Sequence, residues 1–242
     1  MSYSNGPLIV TNGLSFYTDF GNIKSYNSSY LIDLTGNNTF TALNVSSNAI
    51  GKPYLNGYGT NIAAQTASTS LLNNDYHSIF FMIRFNTTSA YGSNGYSGNW
   101  DQILGYPAPG TDRSPGIWRW PSNKWIHWRY DPSNTGINIG AAGTTGDTTP
   151  SVEFTIDKWY YVGCTKNAST LTCYINGVNG GSGSVSIPKT SGNTNFNIFN
   201  GYTTAGYPQD LVFLGLIKVY NRVITDSEVL QNFNALRGRY GL

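Results

Sequence analysis

The strongest constraint on the fold lies near the C-terminus, in Gly215-Leu216-Ile217-Lys218-Val219-Tyr220-Asn221-Arg222-Val223-Ile224-Thr225-Asp226-Ser227-Glu228-Val229-Leu230-Gln231-Asn232-Phe233-Asn234. This stretch reads as a strand that runs straight into a capped helix. Ile217, Val219 and Val223 are β-branched, and Leu216, Lys218 and Tyr220 alternate with them. Thr225 stands three residues before Glu228, the spacing at which a hydroxyl and a carboxylate cap each other's backbone N–H groups. Ile224 and Val229 can close a hydrophobic staple around that cap. Val229, Leu230, Phe233 and Leu236 predict one apolar helical stripe, with Gly238 as the stop.

Upstream, short strand patterns recur between Gly and Asn turns. They fall at Leu8–Val10, Leu14–Tyr17, Ser78–Asn86, Gly116–Trp120, Trp125–Tyr130, Ile137–Ile139, Val152–Ile156, Trp159–Thr165, Leu171–Asn176, Asn195–Asn200 and Val212–Tyr220. Ile79 to Phe85 is nearly continuous in apolar residues, as for a strand covered on both faces. Many short strands at near-regular spacing mean a β-sandwich or barrel. The chain has 242 residues and no repeat or linker, so one domain spanning 1–242 is expected, with Met1–Pro7 as a possible arm.

Aromatic residues make up 14% and charged residues only 11%, so amides and hydroxyls, not charge, supply the polar surface. A net charge of +2 without a Lys/Arg run argues against nucleic acid as a partner. No apolar stretch is long enough to span a membrane, and Met1–Thr11 lacks the pattern of a signal peptide. If the protein ends up outside a cell, it travels by another route, such as release within a virus particle. The two cysteines, Cys164 and Cys173, fall opposite each other if a hairpin turns between Ala168 and Ser169. Both then point to the core, either as neighbouring buried thiols or as a cross-strand disulfide.

Three regions resemble laminin-G-like, or concanavalin A-like, domains. Leu8–Asp19 is similar to the opening of such modules in bacteriophage structural proteins, and Asp33-Leu34-Thr35-Gly36-Asn37 to the loop that follows it. Trp159-Tyr160-Tyr161-Val162-Gly163 and Tyr174-Ile175-Asn176-Gly177 resemble the middle of the family, and the strand-helix block its close. The resemblance implies an all-β fold, a two-sheet antiparallel jelly-roll β-sandwich with one short C-terminal helix. It also implies a tailed-phage virion context: a capsid-decorating or tail-associated protein, made in the host cytoplasm and exposed on the particle. Its partners would then be other virion proteins and further copies of itself, with a host-surface glycan as a possible ligand.

Chemistry is sparsely provided for. Retaining glycoside hydrolysis needs two carboxylates about 5–5.5 Å apart. Glu153 and Asp157 form the sole same-face candidate pair, and Glu228 is accounted for by its cap. His77 and His127, the two histidines, both fall within strand patterns, and no nucleophile elbow is present. The chain is therefore expected not to be an enzyme and to need no cofactor, with calcium as the one candidate. Asp101, Asp112, Asp131 and Asp147 lie in predicted loops and are its candidate ligands. For binding, Trp118 and Trp120 share one face of their strand, while Ile126, Trp128 and Tyr130 share a face of the next. One set is expected in the core and the other at the surface. The candidate ligand-binding residues are Tyr91, Tyr96, Trp100, Arg119, Trp120 and Trp125, aromatics among small polar neighbours that suit stacking on sugars. Two other readings stand beside the virion structural protein: a dedicated carbohydrate-binding adhesin, and, less favoured, a glycoside hydrolase.

Overall fold

The structure, a computed structural model, describes residues 7–27, 30–42, 55–56, 62–66, 71–72, 75–85, 101–106, 116–120, 125–129, 136–139, 154–185, 196–200 and 212–242. In chain order the strands are β1 (Leu14–Asp19), β2 (Tyr26–Asn27), β3 (Tyr30–Leu31), β4 (Phe40–Ala42), β5 (Leu55–Asn56) and β6 (Ile62–Thr66). There follow β7 (Tyr76–Phe85), β8 (Asp101–Gly105), β9 (Gly116–Trp120), β10 (Trp125–Arg129), β11 (Gly136–Ile139) and β12 (Trp159–Asn167). β13 (Thr170–Ile175), β14 (Val178–Ser184), β15 (Phe196–Asn200) and β16 (Val212–Tyr220) precede the helix α1 (Asp226–Tyr240). The first sheet runs β1-β16-β7-β12-β13-β14, with β5 also pairing β16; the second runs β11-β10-β9-β8-β15-β6-β4. All their pairings are antiparallel.

The core lies between the sheets. Phe16, Ile79, Phe81, Ile83, Val162, Cys164, Ile217 and Val219 meet Ile103, Leu104, Ile117, Ile126, Trp128, Phe196 and Ile198 across it. Burying each such side chain contributes about 1.5–3 kcal/mol. β7 and β16 are apolar on both faces because a second cluster lies on the far side of the first sheet. There Phe80, Met82, Leu216 and Tyr220 are covered by Val229, Leu236 and Tyr240 of α1 and by Val10.

The helix begins as its spacing predicts. The Thr225 hydroxyl accepts from the Glu228 N–H at 3.3 Å, and a Glu228 carboxylate oxygen accepts from the Thr225 N–H at 2.8 Å. Two details of the predicted helix differ. Gly238 lies inside α1, and the stop is Gly241, whose φ of 72° closes an αL cap on the Arg237 carbonyl. Leu230 is 45% exposed, and Asn232 takes an inward place with Val229, Leu236 and Tyr240. The extra turn carries Tyr240 over Gly215, where a Cβ would sit 2.6 Å from the Tyr240 ring and hydroxyl.

Leu8–Val10 is not a strand. Its backbone is bonded instead by helix side chains: Asn232 Oδ1 accepts from the Val10 N–H at 2.9 Å, and Gln231 Nε2 donates to the Leu8 carbonyl at 2.7 Å. The strand expected over Val152–Ile156 is also absent where it is described. Phe154 packs on Phe85 and Tyr160, and the chain turns at Asp157, whose φ is 59°. Met1–Gly6, Val152 and Glu153 lie outside the described residues. The β12–β13 hairpin sets Cys164 directly opposite Cys173, and both are buried free thiols. Burial, and then its neighbour Cys164, push the Cys173 thiol up. Asp33 organises its loop. Its carboxylate accepts from the Tyr17, Thr35 and Asn38 N–H groups, from the Thr35 hydroxyl and from Asn38 Nδ2.

Candidate functional site

Alternation along β9 and β10 assigns their faces. Ile117, Ile126 and Trp128 belong to the core, so Trp118 and His127 stand on the face turned away from it. Register pairs Trp118 with His127 and Trp120 with Trp125, which places all four positions in one ladder across that outward face. Arg119 is aligned instead with Ile126 and with Asp101, a core-side row. Asp101, expected in a loop, opens β8.

Two irregularities extend the outward row. A bulge at β8 lets Gln102 pair with Trp118 while Leu104 pairs with Ile117, so both Ile103 and Leu104 enter the core. On the adjoining β15, Phe199 has φ 52° and joins Ile198 in the core. Asn200 then aligns with Gln102. The row consequently reads Asn200, Gln102, Trp118, His127, Asn138 across five strands. A second outward row lies roughly 7 Å further along the strands, two residues at the β rise. It reads Gln65, Asn197, Gly105, Gly116, Arg129, Gly136. Glycines at both Gly105 and Gly116 leave a floor without side chains between Asn197 and Arg129.

Three polar groups of this face are enclosed. Asn197 is wholly buried, and Trp118 and His127 are 4% and 5% exposed. The outward position of His127 is covered. Neither the carbonyl nor the amide nitrogen of Asn197 has a hydrogen-bond partner in the protein, and the same is true of Trp118 Nε1. Buried groups of this kind are rare and call for a polar partner. Tyr106, just beyond β8, is pushed up to about 12 by burial, against backbone hydrogen bonds at Leu72 and Leu71 that lower it.

The remaining expected residues fall elsewhere. Tyr91, Tyr96, Trp100, Asp112, Asp131 and Asp147 lie outside the described residues, as does Glu153 of the carboxylate pair. His77 is buried on β7, aligned with Lys166 of β12. Lys166 Nζ donates to the Ala168 carbonyl at 2.6 Å. Among the described residues no three His, Cys, Asp or Glu side chains gather as metal ligands. Asn197, Gln102 and Asn138 were missed by sequence reasoning. For Asn197 a signal was present, a lone amide between Phe196 and Ile198 in an apolar strand.

Residues 59–230 match the family model of the concanavalin A-like lectin/glucanases superfamily, and the chain belongs to that superfamily. Solved structures with the same fold include a sialidase of Trypanosoma rangeli, at 16% identity and TM-score 0.63 over 94% of this chain and 33% of that one. The binding domain of botulinum neurotoxin serotype D gives 13% identity and TM-score 0.62, over 91% of this chain and 51% of that one. The binding domain of Paraclostridial Mosquitocidal Protein 1 gives 17% identity and TM-score 0.63, over 92% and 52%. The chain thus spans about a third of the sialidase and half of each toxin domain. No curated protein matches it.

Proposed function

We propose that this chain is a non-enzymatic carbohydrate-adhesion module displayed on the surface of a tailed-phage particle. The adhesion reading rests on membership of the concanavalin A-like lectin/glucanases superfamily, to which the outward face of the second sheet adds Asn197, covered and with both amide atoms unpartnered. A side-chain amide offers a donor and an acceptor side by side, which complements neighbouring sugar hydroxyls. On the same outward rows stand the Trp118–His127 pair and the glycines Gly105 and Gly116. None of these positions is a carboxylate, so the face suits recognition and not glycosyl transfer. The virion placement rests on the phage-like opening motif and its Asp33 loop. Copies arrayed on a particle follow its symmetry, so self-association belongs to this reading.

The test is a glycan array probed with and without calcium, using wild type, Asn197→Ala and Trp118→Phe. Saturable binding that weakens at least about tenfold in Asn197→Ala, with the fold intact, is expected. A blank array from folded protein in both conditions contradicts the adhesion reading. A purely structural decoration protein is the second reading, favoured by the enclosure of Trp118 and His127. The virion placement itself predicts the protein in purified, protease-washed particles, and its absence there contradicts that placement. Polysaccharide turnover abolished by Glu153→Gln would instead point to a hydrolase.

A further inference from the structure

Beneath α1 lies a lysine without a counter-ion. Lys218 is wholly buried on the helix-covered side of β16, in the row of Leu216 and Tyr220. Its Nζ donates to Asn232 Oδ1 at 3.4 Å, and the Tyr17 ring centre lies 5.6 Å away. No carboxylate forms an ion pair with it among the described residues. Asp19, the acidic group that acts on it electrostatically, is held by Arg239 and by the Tyr17 hydroxyl. Burial pushes the Lys218 amine down to about 7, so much of it is neutral and nucleophilic under physiological conditions.

Asn232 is also wholly buried, and its amide is held from both ends. Oδ1 accepts from the Val10 N–H at 2.9 Å. Nδ2 donates to Tyr220 Oη at 3.0 Å, and that hydroxyl donates to the Val10 carbonyl at 3.0 Å. The carbonyl is thus polarised by a fixed backbone donor and met by an amine, on the side of the first sheet whose apolar cluster includes Phe80, Tyr161 and Leu216. From this juxtaposition we infer that Lys218 and Asn232 become joined by an intramolecular isopeptide bond.

The reaction balances without an oxidant or cofactor. The Nζ lone pair forms a bond to Asn232 Cγ, and the carbonyl electrons move to Oδ1. The Val10 N–H stabilises that oxygen while it carries charge. The carbonyl re-forms, the Cγ–Nδ2 bond breaks, and the electron pair leaves with Nδ2. The proton that Nζ sheds on forming the bond is taken up by the departing Nδ2, which Tyr220 Oη holds in place as its hydrogen-bond acceptor. The products are a secondary amide and ammonia. Such a bond would tie β16 covalently to α1 and restrict the unfolded chain between them, as a disulfide does. It is independent of the glycan reading.

The experiment is an intact-mass measurement on the folded full chain, followed by peptide mapping. The wild type is expected one ammonia lighter than its sequence mass, with one proteolytic fragment linking the peptides that carry Lys218 and Asn232. Hydroxylamine should leave that link intact. Lys218→Met and Asn232→Ala should each restore the full mass and lower the melting temperature. If either variant fails to fold, the wild-type peptide map alone decides. Folded wild type that keeps its full mass after prolonged incubation overturns the proposal. So does a lost ammonia that maps to an Asn-Gly succinimide, such as Asn176-Gly177, and is opened by hydroxylamine.

Discussion

Glu228 shows how one side chain can serve several parts of the fold. It caps α1 through the Thr225 N–H and takes both Arg222 guanidinium nitrogens, at 2.6 and 2.9 Å. The Arg222 hydrogen bonds, more than the backbone cap, hold its carboxyl down at about 2, against the burial that raises it. Because the folded value is depressed, the stabilisation is present above the unfolded carboxyl range, near 4.3. It is lost as pH falls from there through about 2. Urea midpoints of wild type and Glu228→Gln should therefore differ at pH 6 and converge towards pH 2. A gap that persists unchanged at low pH contradicts this assignment. At Gly215 the constraint is space. Gly215→Ala should destabilise by about 1–3 kcal/mol, because the new methyl displaces the Tyr240 ring. Equilibrium unfolding checks it. Asp33 was legible as a loop residue, since its motif is local, but the bond it accepts from the Tyr17 N–H, sixteen residues away, was not. Lys218 was not legible as buried, because alternation reports a face and says nothing of what covers it.

At the scale of the element, α1 illustrates which signals are local and which are not. Its start was readable because Thr225 and Glu228 bond to each other within one turn. Its end was misplaced because two glycines, Gly238 and Gly241, both suit a stop. Packing of Tyr240 on Gly215 and Trp159 favours the later one. Gly238 has open space where a Cβ would stand, so Gly238→Ala should stabilise by about 0.5–1 kcal/mol through helix propensity alone. Leu236→Ala should cost about 2–5 kcal/mol, whereas Leu230→Ala should change stability by less than about 0.5 kcal/mol. Thermal melts of the three variants check the order. β14 was missed because Val178–Ser184 is rich in Gly and Ser and poor in β-formers. It forms as an edge strand because β13 offers it an open ladder. β12 and β13 were read nearly to their ends, as the Trp159–Ile175 hairpin carries its own alternation and turn.

Across the whole molecule, the sandwich and its closing helix were readable from ordered motifs and strand spacing. The organisation of the second sheet was not. The aromatic strands β9 and β10 could be paired by eye, but the outward row depends on irregularities at Ile103 and Phe199. These reverse the alternation in β8 and β15, and only a structure reveals them. The result is a molecule with one sheet closed by α1 and another whose outward face holds unpartnered Asn197 and Trp118 atoms. The central claim is that this second face receives a glycan. Crystals of the domain soaked in concentrated mixtures of common mono- and disaccharides test it most directly. The account predicts a sugar ring over β9, β8 and β15 that displaces what covers them and hydrogen-bonds the Asn197 amide and Trp118 Nε1. Sugar bound elsewhere, or no sugar and an Asn197 amide fully bonded by protein groups, would contradict it.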